Sequence, residues 1–435
     1  MSNYIVTQNK NFFDSSNFEC IKIKKSQFKK INKKEKINIF LYDNEKNKLY
    51  GTYEIDLNTK TEEDSFLYLN ITDTYKKRRG IYYNLEEKYN DFSIYNIIDE
   101  NIFYKLKERL ILLNENLSQT FLSCTVEKYK EKQNKKEHVF HYKAIETYPS
   151  LYIAEYKKPF DFCAYNSIYK EYLRLLKRAN SENDNISKYL EIGNYLMNML
   201  IPEKDFREHL FEGFRIVYLN LDETASSIPW DILSYNNKFL SEKIIFSYIN
   251  AVNIMPKKIT NSKKIAVISI PYDDINDEKE IDLLKRLSVN NNLNIDVYKK
   301  EHNYFEFVKV LENYDIVHII THGHSNGLSL SKDYILNNIS ALENPPKLIF
   351  INTCNMNDSN IVKSFLSCGV NTVVSGIGSL SDNIYNDFVM SFYSNLLHKH
   401  SRINTAQAFH FAHIEIKDNY NGFMRYRFNG VACYV

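Results

Sequence analysis

Long apolar runs are missing from this chain. The longest, such as KIIFSYINAVNIM (243–255), are interrupted and too short to cross a bilayer. That argues against a helical membrane protein. No C-x-x-C pair occurs either. The six cysteines, at positions 20, 124, 163, 354, 368 and 433, are scattered, which argues against a zinc ribbon and a disulfide framework. A surplus of one charge sign is absent: 56 Lys and Arg face 54 Asp and Glu, for a net charge of +2. Nothing global therefore draws the chain to nucleic acid or membrane. No repeat of fixed period is present, so a helical repeat array is not expected. The opening residues MSNYIVTQNKNFFDSS carry neither a basic-then-apolar run nor a small-residue cleavage site, so no signal peptide is expected. The expected setting is cytoplasmic, with each cysteine a free thiol and most of them small buried hydrophobes. Glycine (11) and proline (8) are scarce beside abundant Lys, Asn, Ile and Tyr, which reflects an AT-rich coding bias and says nothing about mechanism.

What is present is an ordinary globular composition, 44% hydrophobic and 25% charged, over 435 residues. That length predicts two or three domains with room for a large core. Residues 1–150 read as an α+β N-terminal region. Short strand-like runs (KINIFLYD, LYGTYEIDL, SFLYLNIT) are followed by a helix-like stretch, NIFYKLKERLILLNENL, at 101–117. Lysine-rich clusters at 76–80 and 130–138 read as solvated loops, and direct nucleic-acid binding is not expected. Residues 151–213 read as a helical connector, because YNSIYKEYLRLLKRA and ISKYLEIGNYLMNMLI place apolar residues at i, i+3, i+4 spacing.

From 214 to 435 the pattern becomes strand, helix, strand, helix. Apolar strands (RIVYLNL, KKIAVISIP, NIDVYK, IVHIIT, PKLIFINT, VNTVVSGI) alternate with amphipathic helices, and the segment DSNIVKSFLSCG predicts a helix ending at Gly369. This spacing predicts one α/β domain with a mostly parallel sheet covered on both faces. Between IVHIIT and PKLIFINT, the residues LSLSKDYILNNISALENPP read as a hairpin and a short helix.

Three histidines, His318, His322 and His324, crowd the end of one strand. An H-x-H core is compatible with a metal site of the H-x-H-x-D-H type. Asn326 and Gly327, however, stand where that pattern needs Asp and His. A different chemistry follows from topology. In open α/β sheets ligands bind beyond the carboxyl ends of the strands. His322 follows one apolar strand there and Cys354 follows the next, and consecutive strands are usually neighbours. Alone, each residue reads as structural. Together they supply what a thiol nucleophile needs, an attacking sulfur and an imidazole that moves protons. Gly323 lets a backbone N–H approach a substrate closely. With the N–H of Cys354 it could hold a developing oxyanion.

The ordered segments VHIITHGH, LIFINTCN and FLSCGVNTVVSGIGSLSDNIYNDFVMSFYSNL, with IPWDIL and FLSEKIIFSYI upstream, resemble the CHAT family of caspase-like cysteine peptidases, relatives of separase. The resemblance covers about residues 214 to 435, with Asp231 where the family carries Glu. It implies a caspase-like fold in which His322 is the catalytic histidine and Cys354 the nucleophile. His318 is then a core residue and His324 a candidate lining of the cleft. Asp382 matches an acidic residue that accepts a basic P1 side chain in separase, although Asp is also a common helix cap. Asn352 stands where metacaspases carry an acidic specificity residue. The implied function is a regulated endopeptidase of bacterial defence or signalling, acting on protein substrates, with cleavage expected after Arg or Lys. No cofactor and no metal are implied. An activating partner or signal would act through the N-terminal half. The alternative is a catalytically silent scaffold built on the same domain.

Overall fold

A computed structural model describes the backbone of residues 3–8, 20–24, 36–43, 48–63, 66–71, 81–82, 94–96, 118–130, 136–146, 152–178, 185–201, 203–211, 214–249, 264–270, 272, 277–291, 293–324, 327–353, 360–377, 382–397, 403–416 and 426–435. Side chains are described from residue 119 onward, apart from 127–130, 136–137, 176–178, 185, 211, 290–291 and 382–385. By contacts the chain divides into one unit of 1–116 with 398–401 and a second of 117–397 with 402–435.

In the first unit the described strands are β1 (Asn3–Gln8), β2 (Cys20–Lys24), β3 (Lys36–Asp43), β4 (Lys48–Glu63), β5 (Phe66–Ile71), β6 (Ile81–Tyr82) and β7 (Ile94–Asn96). They form one sheet in the order β2-β5-β4-β3-β1-β7, with β6 on β4. The helix expected at 101–117 and the basic cluster at 76–80 lie outside the described residues.

The second unit is built on an eleven-stranded sheet. Its strands are β8 (Ser118–Lys130), β9 (Lys136–Glu146), β10 (Tyr152–Phe160), β11 (Arg215–Leu221), β14 (Ile244–Tyr248), β15 (Lys264–Ser269), β16 (Asn294–Lys299), β17 (Ile316–Ile320), β21 (Leu348–Asn352), β22 (Thr372–Gly376) and β23 (Tyr426–Gly430). Their order is β10-β9-β8-β11-β14-β23-β22-β21-β17-β15-β16. Seven of the ten pairings are parallel, so the sheet is mixed but mostly parallel. Strands β8, β9 and β10, which precede residue 161, pair into this same sheet. Two small satellites complete the strand count, the hairpin β12 (Ser234–Tyr235) with β13 (Lys238–Phe239), and the three-stranded β18 (Gly323–His324), β19 (Gly327–Ser331), β20 (Tyr334–Leu336).

The central strands are apolar along their whole length because both faces are covered. Alternate residues divide between the faces. On one side Ala266, Ile268, Val317, Ile319, Ile349 and Ile351 pack against Phe307, Val310 and Leu311 of the helix Tyr304–Asn313 and Ile361, Phe365 and Leu366 of the helix Asn360–Ser367. On the other, Phe350 meets Phe392, Tyr393 and Tyr426 at ring-centroid distances of 5.3, 5.6 and 5.6 Å. This second layer is covered by the helices Glu278–Asn291, Asp382–Leu397 and Thr405–Ile416. Fully burying each large apolar side chain of these layers is worth about 1.5–3 kcal/mol.

Local signals set the ends. The helix Asn360–Ser367 stops at Gly369, whose φ of 92° is the left-handed region that glycine enters freely. Its N–H donates to Leu366 O at 3.1 Å. The connector helix Asn185–Leu200 approaches the 3-10 turn Trp230–Ile232 through Gly193, where a Cβ would sit 1.9 Å from Ile232 O. Between β17 and β21 the expected hairpin is present as β19–β20, but residues 337–347 form no helix. Pro345 and Pro346 explain this, since proline excludes the helical region for the residue before it and removes a donor.

Chain order fixes where a ligand could bind. From β15 the chain crosses through the helix Glu278–Asn291 to β16 on one side. It then returns through the helix Tyr304–Asn313 to β17 on the other. The winding therefore reverses between β15 and β17, and in such sheets the crevice lies beyond the carboxyl ends at that point.

Candidate active site

Strands β17 and β21 are parallel neighbours, and their register pairs Ile320 with Asn352. In the chain His322 follows Ile320, and Cys354 follows Asn352, by two residues. Residues 354–359, Cys354 among them, lie outside the described residues. The backbone of His322 is locked by the small sheet beyond β17. Ser329 N–H donates to His322 O at 3.1 Å, and Thr321 Oγ1 donates to Ser329 O at 2.7 Å. Gly323 pairs with Leu328 and His324 with Gly327. A Cβ on Gly327 would lie 2.1 Å from Leu336 O, so β19 and β20 approach there as only glycine permits. In an antiparallel ladder hydrogen-bonded pairs alternate. With the His322–Ser329 pair bonded, the N–H of Gly323 points away from β19.

The three neighbouring histidines have different environments. The His322 ring is half-buried and lies 4.5 Å, centroid to centroid, from the ring of Tyr272. Tyr272, three residues beyond the end of β15, donates its hydroxyl to Ser331 O at 3.1 Å. His324 is exposed, with Nε2 2.8 Å from Ser329 Oγ. His318 is fully buried. Its Nε2 is 2.7 Å from Glu280 Oε1 and its Nδ1 3.1 Å from the Tyr393 hydroxyl. Among the described residues no group of three or more His, Cys, Asp or Glu side chains is arranged to hold a metal ion.

Asn352, expected near the substrate, is 6% exposed with both ends of its amide engaged. Nδ2 donates to Glu280 at 2.7 and 2.8 Å, and Oδ1 accepts from the Tyr426 hydroxyl at 2.7 Å. Asp382 is the first residue of the helix Asp382–Leu397, and its side chain is outside the described set. Asp231 sits in the buried 3-10 turn Trp230–Ile232. It accepts from the Tyr248 hydroxyl at 2.9 Å and lies 3.8 Å from Arg427 Nε. The Arg427 guanidinium stacks over the Tyr248 ring at 4.0 Å. Burial raises the Asp231 pKa, opposed by Arg427 and the Tyr248 donor. Two free cysteines are accounted for as inert thiols: burial pushes the pKa of Cys124 and Cys368 up.

The sequence reading passed over Tyr272, Glu280 and Tyr426. Tyr272 carried a usable signal, since it follows a strand at the carboxyl edge. Glu280 carried none, because an acidic residue in the first turn of a charged helix reads as solvent-facing.

A model described as the CHAT domain matches residues 190–422, more than half of the chain. No curated protein matches it. Among solved structures, one crystal structure of the Saccharomyces cerevisiae separase–securin complex is similar with a TM-score of 0.48 and 9% identity, over 78% of this chain and 32% of that one. A second structure of the same complex gives 0.41 and 11%, over 80% and 32%. The Arg-specific cysteine proteinase gingipain R gives 0.38 and 9%, over 56% and 68%. The chain thus spans about a third of the separase chain with which it aligns.

Proposed function

Because the chain belongs to the CHAT-domain family, we propose that it is a cysteine endopeptidase acting on one or a few protein substrates. The observation that supports this reading is the register of β17 with β21, which pairs Ile320 with Asn352, the residues two before His322 and Cys354 in the chain. His322 takes the thiol proton of Cys354 as the sulfur attacks the scissile carbonyl carbon, and the carbonyl oxygen takes up the negative charge. The N–H of Gly323, turned away from β19, and that of Cys354 bind this oxyanion, the kind of preorganised donor pair that favours the transition state. Collapse breaks the C–N bond, and His322 protonates the departing amine. The resulting thioester is hydrolysed by water, with His322 accepting the water proton and the thiol leaving.

Support for His322 as the mobile base comes from contrast with its neighbour. His318 is held on both nitrogens in the core, while the half-buried His322 borders the crevice with its backbone locked by β19. Asp382, at the start of the helix following β22, is assigned to a basic P1 side chain. His324 is assigned to the wall of the cleft. Residues 1–150 are assigned to sensing or substrate docking and 151–213 to a connector. The regulated, cytoplasmic bacterial-defence role implied by the family resemblance accompanies this reading. No described helix is long and apolar enough to cross a membrane.

The test is intact mass after exposure to electrophilic peptides bearing either Arg or a neutral residue at P1. Wild type should gain one adduct, absent in Cys354→Ala and diminished in His322→Ala. A wild-type chain that gains no adduct with either class would leave the silent-scaffold reading in its place.

A further inference from the structure

A set of buried polar side chains joins β17 and the end of β21 to the helix Glu278–Asn291. Glu280 is 4% exposed, in the first turn of the helix Glu278–Asn291. Its Oε1 faces His318 Nε2 at 2.7 Å, and both its oxygens accept from Asn352 Nδ2, at 2.7 and 2.8 Å. The Tyr426 hydroxyl donates to Asn352 Oδ1 at 2.7 Å, and the Tyr393 hydroxyl lies 3.1 Å from His318 Nδ1. Burial, and then the charge of Glu280, raise the pKa of Tyr393 well above its ordinary value, so its phenol keeps its proton. The two ring nitrogens of His318 are thus each within hydrogen-bond distance of one partner, Nδ1 of the Tyr393 hydroxyl and Nε2 of Glu280. The amide of Asn352 has a single orientation that satisfies both ends.

Two features set this cluster apart from ordinary core. First, it is expensive, because a buried carboxyl group costs several kcal/mol to desolvate, and an apolar side chain of similar volume would often be at least as stabilising. The opposite faces of the same strands show that solution, with Val317, Ile319, Ile349 and Ile351 fully buried. Second, it is placed where register matters. Asn352 is the last residue of β21, two before Cys354. His318 is on β17, four before His322. The positive end of the helix dipole favours an anion at the position Glu280 holds.

We propose that Glu280 is a positioning residue. It ties the middle of β17 to the end of β21 through His318 and Asn352, and so keeps the strand that leads to His322 in register with the strand that leads to Cys354. The inference rests on the dyad reading. It deepens that reading by assigning Asn352 to holding the nucleophile loop.

The full chain reports on this through its own cysteines under iodoacetamide, followed by peptide mass spectrometry. Cys163 is exposed and serves as the reference, while Cys124 is fully buried and reports loss of fold. In wild type, Cys354 should be alkylated about tenfold or more faster than Cys163, as an imidazole-paired thiol is. In Glu280→Ala that ratio should fall to about one while Cys124 stays protected. Glu280→Gln keeps an acceptor for Asn352 and a donor for the other His318 tautomer, and should restore most of the ratio. A Glu280→Ala chain with Cys124 protected and the wild-type ratio overturns the inference alone. If Glu280→Ala exposes Cys124, then Asn352→Ala, which cuts the same tie at the Cys354 side, decides by the same two readings. A wild-type ratio near one overturns the dyad and this inference with it.

Discussion

The ring of Tyr272 lies 4.5 Å from the imidazole of His322 and is tilted 58° to it, while its hydroxyl is tethered to Ser331 O at 3.1 Å. Strand β15 thus supports the proposed base through a ring anchored to the β19–β20 hairpin. Small misplacements of a catalytic group are costly because the reaction needs near-attack geometry.

We therefore expect Tyr272→Ala to lower kcat roughly tenfold or more with a smaller change in KM. Tyr272→Phe, which keeps the ring, should retain most activity. Peptide hydrolysis by both variants measures this. Equal kcat for Tyr272→Ala and wild type would remove the tyrosine from the account.

Asp382 can act on P1 or only as a helix cap, and charge separates the two roles. Asp382→Asn keeps a competent cap and removes the charge. The ratio of labelling by Arg-bearing over neutral probes should fall about tenfold or more while the melting temperature holds, because a charge-assisted hydrogen bond is about twice as strong as a neutral one. An unchanged ratio, joined to a loss of about 1 kcal/mol in Asp382→Ala, would assign the residue to capping.

Arg215 and Glu146 form a buried pair that fastens β9 to β11. Arg215 Nη1 donates to Glu146 Oε2 at 2.7 Å, Thr120 Oγ1 donates to the same oxygen at 2.9 Å, and Arg215 Nη2 donates to His209 O at 2.7 Å. Both partners are at most 2% exposed. Glu146→Ala leaves the buried guanidinium without its carboxylate, and should cost roughly 3–5 kcal/mol in urea unfolding. Arg215→Met combined with Glu146→Leu should recover much of that loss, since an apolar replacement of a buried pair is often neutral.

His410 makes stability fall in acid. Burial lowers its pKa from 6.5 to about 4, opposed by its bond to the Glu242 backbone. Its ring meets Phe214 edge-on at 5.7 Å. The folded-state pKa lies below the unfolded one, so the unfolded chain binds the extra proton between those two values. The contribution of His410 is therefore present above pH 6.5 and lost as pH falls toward 4. At about 1.4 kcal/mol per pH unit this is about 3 kcal/mol. Melting temperatures of wild type and His410→Gln from pH 7 to 4 should converge at the acid end; parallel curves would rule this residue out as the cause.

Much of the second unit could be read directly from residue order. IVHIIT and PKLIFINT are unbroken apolar runs because both faces of β17 and β21 are covered, and their consecutive order made them neighbours. Gly369 announced the end of its helix through a backbone angle that other residues avoid. The helix expected before Pro345 was not there, because two adjacent prolines outweigh the apolar spacing of a few residues. The first-turn position of Glu280 looked solvent-facing for a different reason. Helical spacing shows which residues share a face, and it does not show that a second helix, Asp382–Leu397, will cover that face.

The sequence by itself determined the alternation of strand and helix, the covered parallel sheet, and the placing of His322 and Cys354 just past two consecutive strands. Each of these depends on interactions between near neighbours, or on the chain's own order. Only the tertiary structure decided that β23 inserts between β14 and β22 with its Tyr426 end beside the carboxyl end of β22. Only it decided that Asn352 meets Glu280 across 72 residues and Tyr426 across 74. Those meetings follow from packing, in which a buried donor must find an acceptor wherever the fold supplies one, and no local pattern records which acceptor that is.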